Sequence, residues 1–392
     1  MEKKAMMSPQ KNKIVLVVSD LHLGAGHLVN SRKNLLEDFD FDQEFSEFID
    51  YHSSESYYDT EVELIINGDF LDFLAIPFVP YFDDEYWKES ASIEKLKLII
   101  SAHQLVFNKL KNFLLCPNKK IVYLFGNHDA EMLFPRVREY FIKTIMPEQF
   151  SLENRPHLLI FPLEHNRYSP LSSILIKHGH DYESAHSFKI GKSIIKGSSG
   201  ELYFRPPWGV YYVTRVLNRF KDERRFINAI RPIRTFVIYG IIFDTLFTLR
   251  FIFANIYYFI MVIFLSMFRQ KKKLKLNYLQ LLKKSFNETK LFQDYESLTK
   301  EEFIKDPQLK ILIVGHTHIP VFRTFADGTS FINTGSWVRM FHLDFSRRQD
   351  GHRLTYAQIT IEPDENDFGK ILDHNLFVWE GNRNLPYAKF NL

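Results

Sequence analysis

A layered α/β domain broken by a helical insertion is the fold class this sequence predicts, on three observations. Short apolar, β-branched runs end five times in a polar turn, and segments of helical period lie between the first of them. From about Tyr182 to Pro307 the chain leaves that rhythm, then resumes it. Strand, polar turn, helix, strand is the grammar of a domain whose ligands gather at strand ends.

The elements follow in order. Ile14 to Val18 reads as a buried strand that delivers Ser19-Asp20-Leu21-His22, and Phe41 to Tyr51 as a helix with Phe45, Phe48 and Ile49 on one face. Glu63 to Asn67 runs into Gly68-Asp69. Ile93 to Leu115 has the helical spacing of Leu96, Ile99, Ile100, Leu105, Leu110 and Leu114, and Lys120 to Phe125 runs into Gly126-Asn127-His128-Asp129. Ser173 to Lys177 ends in His178-Gly179-His180, and Ile311 to Val314 ends in Gly315-His316-Thr317-His318. Beyond these, Asp327-Gly328 between Val321–Phe325 and Ser330–Asn333 signals a hairpin.

Composition narrows the function. With 50 Lys and Arg against 47 Asp and Glu, the formal charge of +3 lacks the excess of a dedicated nucleic-acid binder. A single cysteine, Cys116, excludes an intrachain disulfide framework and a multi-cysteine zinc site, and fits the reducing cytoplasm. Residues 1–13 are polar, so no secretory signal peptide is expected, and a mean hydropathy of −0.19 rules out a many-span membrane protein.

The five turns supply Asp20, His22, Asp69, Asn127, His178, His316 and His318, each directly after an apolar strand. One Asp or His at a strand end is ordinarily a cap or a satisfied polar group; five such loops in order make a metal-ligand set. Carboxylates and neutral imidazoles suit divalent first-row ions, manganese first for this mixed oxygen and nitrogen set, with iron and zinc close behind. A carboxylate such as Asp69 can bridge two ions, and a pair of ions suits in-line phosphoryl displacement. His180 and Asp181 follow the fourth turn and either line the site or hydrogen-bond its ligands. Asp72 reads as a helix cap in preference to a partner of the ligands, and His27, Arg32, Asp38 and Asp40 as a solvated loop in preference to substrate contacts.

Asp20-Leu21-His22, Gly68-Asp69-Phe70-Leu71-Asp72, Gly126-Asn127-His128-Asp129, His178-Gly179-His180 and Gly315-His316-Thr317-His318 together resemble, in order, the signature of the calcineurin-like metallophosphoesterases. The resemblance covers residues 13–181 and 309–362, leaving 182–308 as insertion and 363–392 as a C-terminal extension. It implies a double β-sandwich flanked by helices with a two-metal site at its edge. One ion would be held by Asp20, His22, Asp69 and His318, and the other by Asp69, Asn127, His178 and His316. His128 matches the family's catalytic histidine, with Asp129 orienting its ring.

The insertion carries the most unusual stretch, residues 236–268. From Phe251 to Phe268 only Asn255 and Ser266 interrupt a run of about the length that marks a membrane-span candidate. Asp244 and Arg250 break the half before it, and basic residues flank both sides, Arg215 to Arg234 and Arg269 to Lys284. Since His178 and His316 are expected at one metal, both flanks lie on one side of any membrane, which excludes a single crossing. An even number of crossings, a re-entrant hairpin or interfacial helices on the cytoplasmic face stay open, as does a soluble cap against the catalytic domain or a dimer partner.

The layout, with its Ser-Asp-Leu-His-Leu opening and apolar cap, is similar to that of the membrane-peripheral UDP-diacylglucosamine pyrophosphatases. It departs from them at His128, where they usually carry arginine, and in a longer insertion. The expected function is hydrolysis of a phosphoester or pyrophosphate on a lipid-linked or nucleotide-lipid substrate, without a nucleic-acid partner. A membrane-anchored nucleotide phosphodiesterase or protein phosphatase is the alternative, and a non-catalytic scaffold ranks below both because every ligand position is filled.

Overall fold

The computed structural model describes residues 12–77, 87–149, 155–183, 185–270, 301–343, 354–363, 369–381 and 386–390. The basic cluster Lys271 to Lys275 and the rest of 271–300 lie outside the described residues.

Strands β1 (Lys13–Val18), β2 (Val62–Asn67), β3 (Lys119–Leu124) and β4 (Leu159–Ile160) form the parallel half of a seven-stranded sheet. β5 (Ile174–Ile176), β7 (Ile311–Val314), β8 (Val321–Thr324) and β9 (Ser330–Asn333) form a second sheet in the order β8-β9-β7-β5; β6 (Ile230–Arg231) and β10 (Phe341–His342) pair separately. The antiparallel half of the first sheet is β11 (Leu354–Glu362), β12 (Lys370–Trp379) and β13 (Tyr387–Lys389), and its order is β13-β12-β11-β1-β2-β3-β4.

Period-2 alternation explains why the sheets stack. Val15 and Val17 of β1, Ile65 of β2 and Val122 and Leu124 of β3 share an apolar core with Ile174, Ile176, Ile311, Ile313 and Ile332 of the second sheet. Their neighbours Leu16, Val18, Leu64, Ile66, Ile121 and Tyr123 point the other way, into a core shared with helices α1 (Asp42–Tyr51), α2 (Glu89–Ala102), α3 (Gln104–Leu115) and α4 (Pro135–Ile145). The result is a β-sandwich of two mixed sheets with helices on an outer face. In both sheets the parallel strands end on the same edge, and the five polar turns meet there.

Two details differ from the sequence reading. The single helix expected over Ile93 to Leu115 is two, because His103 leaves helical geometry between α2 and α3; its Nδ1 lies 2.8 Å from Asp42 Oδ1 and its Nε2 3.6 Å from Glu37 Oε2. Asp38 and Asp40 are not a solvated face. Asp38 accepts from Lys221 Nζ at 2.7 Å and Asn228 Nδ2 at 2.8 Å, while Asp40 takes Arg225 at 3.1 Å and Arg339 at 2.8 Å, tying the insertion to the first loop.

The start of the insertion packs as a layer of the main core, which contains Phe204, Val210 and Val213 with Trp87. Farther on, Val216, Phe220, Ile227, Phe247, Phe251 and Tyr258 make a small core of their own. Helices α5 (Ile233–Phe243) and α6 (Thr245–Gln270) follow. No side chain of α5 is buried, and Phe243 is 83% exposed, Leu246 74%, Tyr257 71% and Phe253 65%. Among the described residues no helix is long and apolar enough to cross a membrane, so the crossings that the sequence left open have no spanning element there.

Candidate metal centre

Each candidate ligand leaves the end of a strand in a tight turn, and the backbone records the cost of aiming it. Asp20, His22, Asp69, His316 and His318 all have left-handed φ, between +49° and +71°. Non-glycine residues rarely adopt that region, and strain of this kind collects where a site dictates geometry. Two glycines are required by close approach. A Cβ on Gly126 would sit 2.0 Å from Asp69 Oδ1, and one on Gly315 would sit 2.5 Å from Asp20 Oδ2.

The turns interlock. The Asp20 carboxylate accepts from the His316 N–H at 3.0 Å, and Asp69 Oδ1 accepts from the His128 N–H at 2.8 Å. His178 Nδ1 donates to the Asn67 carbonyl at 2.7 Å, which turns Nε2 toward Asp69 Oδ2 at 3.2 Å. On the opposite side His22 Nε2 and His318 Nε2 are 3.0 Å apart, and His318 Nε2 is 3.3 Å from Asp20 Oδ1. His22 Nε2 is also 3.9 Å from Asp69 Oδ2, so Asp69 faces both groups of histidines.

Among the described residues four sets of metal-capable atoms result: Asp20, His22 and His318; Asp69, His178 and His316; and, flanking these, His22, Asp72 and His128, and Glu183, His186 and His316. The residues fit divalent ions on three counts. The donors are carboxylate oxygen and imidazole nitrogen, the Asn127 Oδ1 is buried with no hydrogen-bond partner, and two imidazole Nε2 atoms are pressed together beside carboxylates. Charge agrees. Burial pushes the Asp69 carboxyl up, but His178 and His128 outweigh it and hold the group well below the usual carboxylate range. Asp20 is likewise held down, against burial, by His178 and His318, and His178 is raised to about 10 by Asp69 and Asp20 in spite of its burial.

Around this centre stand residues the sequence weighed differently. Asp72 caps its own turn, accepting from the Leu74 and Ala75 N–H groups at 3.0 Å, and no helix begins there. The same carboxylate reaches His22 Nδ1 at 3.2 Å and His128 Nδ1 at 3.0 Å. The His128 ring is therefore held by Asp72. Burial lowers the His128 pKa, and Asp72 and Asp69 raise it further than that, to about 9. Asp129 instead accepts from the Phe70 N–H, the Gly126 N–H and the Tyr123 hydroxyl, bracing the loop; burial and Asp69 raise it to about 6.

His180 is buried, stacked on Phe188 at 4.7 Å, with Nδ1 unpartnered against a cavity of about 460 Å³ that Arg167, Lys177 and Lys189 also line. Asp181 is exposed and pairs with Lys177 at 2.8 Å. Sequence reasoning missed Glu183, whose Oε2 lies 2.7 Å from His316 Nε2 and 2.5 Å from His186 Nδ1. Its only signal is a Glu-x-x-His spacing just past the fourth turn, a pattern common on any helix.

A family model for calcineurin-like phosphoesterases matches residues 14–224. The chain belongs to that family. As a calcineurin-like phosphoesterase it is a metal-dependent phosphoester hydrolase of a family that typically binds two divalent metals, and its Asp and His clusters stand where such ions could be held. Solved structures similar to it include one from Streptococcus pneumoniae described as a predicted phosphoesterase, at 10% identity over 98% of each chain with a TM-score of 0.29. Others are vacuolar protein sorting 29 of Cryptosporidium parvum, at 11% identity over 97% of this chain and 100% of that one (TM-score 0.31), and a dimetal phosphatase of Danio rerio, at 10% over 94% and 99% (TM-score 0.33). At those scores the superpositions are loose, and family membership rests on the sequence match. No curated protein matches the chain.

Proposed function

We propose that this phosphoesterase is a dimetal enzyme that cleaves a phosphoester or pyrophosphate bond of a lipid-linked or nucleotide-lipid substrate at the cytoplasmic face of a membrane. The observation that supports this reading best is the Asp69 carboxylate facing two histidine groups in a molecule whose insertion exposes Phe243, Leu246, Phe253 and Tyr257. In this reading Asp20, His22, Asp69 and His318 hold one ion, and Asp69, Asn127, His178 and His316 hold the other. Manganese is the first expectation, then iron and zinc.

The chemistry such ions supply when bound is Lewis-acid polarisation of a phosphoryl oxygen and activation of water. Asp69 offers its second oxygen across the centre while Oδ1 stays tied to the His128 N–H. His128 is the proton donor to the leaving oxygen: Asp72 occupies Nδ1 and leaves Nε2 available. Asp129 keeps the 126–129 loop folded so that Asn127 and His128 project from one turn. The exposed rows of α5 and α6 take lipid tails or the interface, an arrangement that needs no spanning helix.

Three assays test the reading together. Metal per chain is expected near two, a water-soluble phosphodiester is expected to turn over, and the protein is expected to sediment with anionic vesicles. A panel of lipid-linked pyrophosphates, nucleotide phosphodiesters and phosphopeptides then ranks the substrate. Highest kcat/KM on a nucleotide or phosphopeptide, without vesicle binding, would replace the lipid substrate by the alternative and leave the apolar face to a dimer partner.

A further inference from the structure

One wall of the cavity beside His180 belongs to the metal centre. His178, Gly179 and His180 line it, and the two imidazoles are only 1% and 4% exposed, so the cavity of about 460 Å³ ends on a candidate ligand. Arg167 and Lys189 line it from other segments, and the chain holds both in place. Asn166, in left-handed backbone at φ +48°, accepts from the Phe125 N–H through Oδ1 at 2.7 Å and donates to the Phe125 carbonyl through Nδ2 at 2.7 Å. Tyr168, on the other side of Arg167, exchanges backbone hydrogen bonds with Ile176 at 2.8 and 2.9 Å.

Those two anchors decide where Arg167 stands. Phe125 follows β3 two residues before Asn127, and Ile176 ends β5 two residues before His178. Arg167 is thus fixed between the strand ends that deliver two candidate ligands of the same ion. Lys189 is placed by Phe188, whose ring stacks on His180 at 4.7 Å and meets Phe204 of the main core edge-on at 5.8 Å. The other charges on the wall are engaged elsewhere. Lys177 pairs with Asp181 at 2.8 Å and lies over the Tyr182 ring at 4.0 Å, while Glu164 is 87% exposed beside His165 at 3.5 Å. Arg167 and Lys189 therefore give the cavity a cationic wall next to the centre, and its volume falls within the roughly 300–1,000 Å³ of small-ligand sites.

We propose that this cavity is the subsite for a second phosphate of the substrate, joined to the phosphoryl group under attack, with Arg167 and Lys189 as its binding residues. The inference rests on the phosphoesterase reading of the centre and deepens it, since a site that holds two linked phosphates favours diphosphates over simple esters. Arg167 offers planar donors that match a phosphate oxygen pair, and Lys189 adds a point charge. Both act in binding and in the choice of substrate, and the chemical step stays with the centre.

The test compares wild type with the double variant Arg167→Gln, Lys189→Gln and with Arg167→Lys. Lys143→Gln, which removes a charge from the exposed face of α4, is the control. Each protein is assayed by steady-state kinetics on a diphosphate diester and a phosphodiester with the same leaving group, by isothermal titration with methylenediphosphonate, and by metal analysis. The double variant is expected to lower the kcat/KM ratio, diphosphate over phosphodiester, roughly 10–100-fold, the worth of a charge-assisted hydrogen bond, mainly through KM. Diphosphonate binding is expected to weaken by a similar factor with metal per chain unchanged. Arg167→Lys, which keeps the charge but loses the paired donors, is expected to fall between, and it decides the matter if the double variant does not fold. A wild-type ratio and diphosphonate affinity in a folded variant, or a loss matched by Lys143→Gln, would overturn the proposal and make Arg167 and Lys189 solvated surface cations. Should the wild type hold no metal and hydrolyse nothing, the phosphoesterase reading fails on its own account, and the diphosphonate titration still decides the subsite: equal affinities reject it, and a loss on substitution supports it.

Discussion

At the strand ends this protein buries charge, and on α5 and α6 it exposes apolar rings. In the first region Asp20, Asp69, Asp72, His22 and His178 are each no more than 4% exposed, and every one is tied to a neighbouring turn by hydrogen bond or close ion contact. In the second, Phe243 and Leu246 are 83% and 74% exposed, and the polar contacts nearby are surface pairs such as Arg250 with Glu223. The first is a network whose members depend on one another, so one substitution is felt throughout. The second is a face whose members act additively through area, so single substitutions there are mild in the folded protein.

That contrast can be broken most decisively at Asp69. Asp69→Asn removes the charge shared by both histidine groups and is expected to lower hydrolysis of a soluble phosphodiester by more than about 10³-fold, with metal per chain reduced. Full metal content together with retained turnover would show that the two clusters are independent. His128→Ala is expected to cost about 10²–10⁴-fold in kcat with metal content nearly intact, the usual range for a positioned proton donor. Asp72→Asn, which loosens both His128 and His22, is expected to lower kcat and metal affinity together; a change in kcat alone would confine Asp72 to the catalytic ring.

On the apolar face, Phe243→Asp with Phe253→Asp is expected to leave the thermal midpoint within a few degrees and turnover of a soluble reporter unchanged, while vesicle co-sedimentation falls. For comparison, Phe48→Ala in the main core is expected to cost about 3–5 kcal/mol. Cooperative unfolding of the surface double mutant well below wild type would mean that this face is covered in the native protein and not presented.

The smallest effect is a pH dependence away from both regions. At His103 burial lowers the pKa, but Asp42 and Glu37 outweigh it and raise the group from 6.5 to about 9 in the folded chain. The charged imidazole therefore contributes stability below pH 6.5, and that contribution is lost as the pH rises toward 9. His103→Gln is expected to flatten the fall in thermal midpoint between those values, and an unchanged slope would remove His103 as its source.

Much of the candidate centre was legible in the sequence, because each candidate ligand directly follows an apolar strand and parallel strands deliver their C-terminal residues to one edge. Asp20, Asp69, Asn127, His178 and His316 could be named from local grammar alone, as could the hairpin turn at Gly328, whose φ is +81°. Asp72 looks complete locally because its carboxylate caps its own turn; only the approach of His22 and His128 shows its second task. Glu183 carries only the weak local signal of its Glu-x-x-His spacing, since its partner His316 lies far along the chain.

The sequence by itself determined the strand and turn alternation, the set of side chains that could ligate metal, and the apolar character of residues 236–268. Those are properties of period and residue type, which neighbours in the chain express without help. The break of the helix at His103, the attachment of the insertion through Asp38 and Asp40, and the approach of Glu183 to His316 were decided only by tertiary structure. Each depends on charges brought together from distant segments, where burial strengthens their interaction and makes an unpaired group costly.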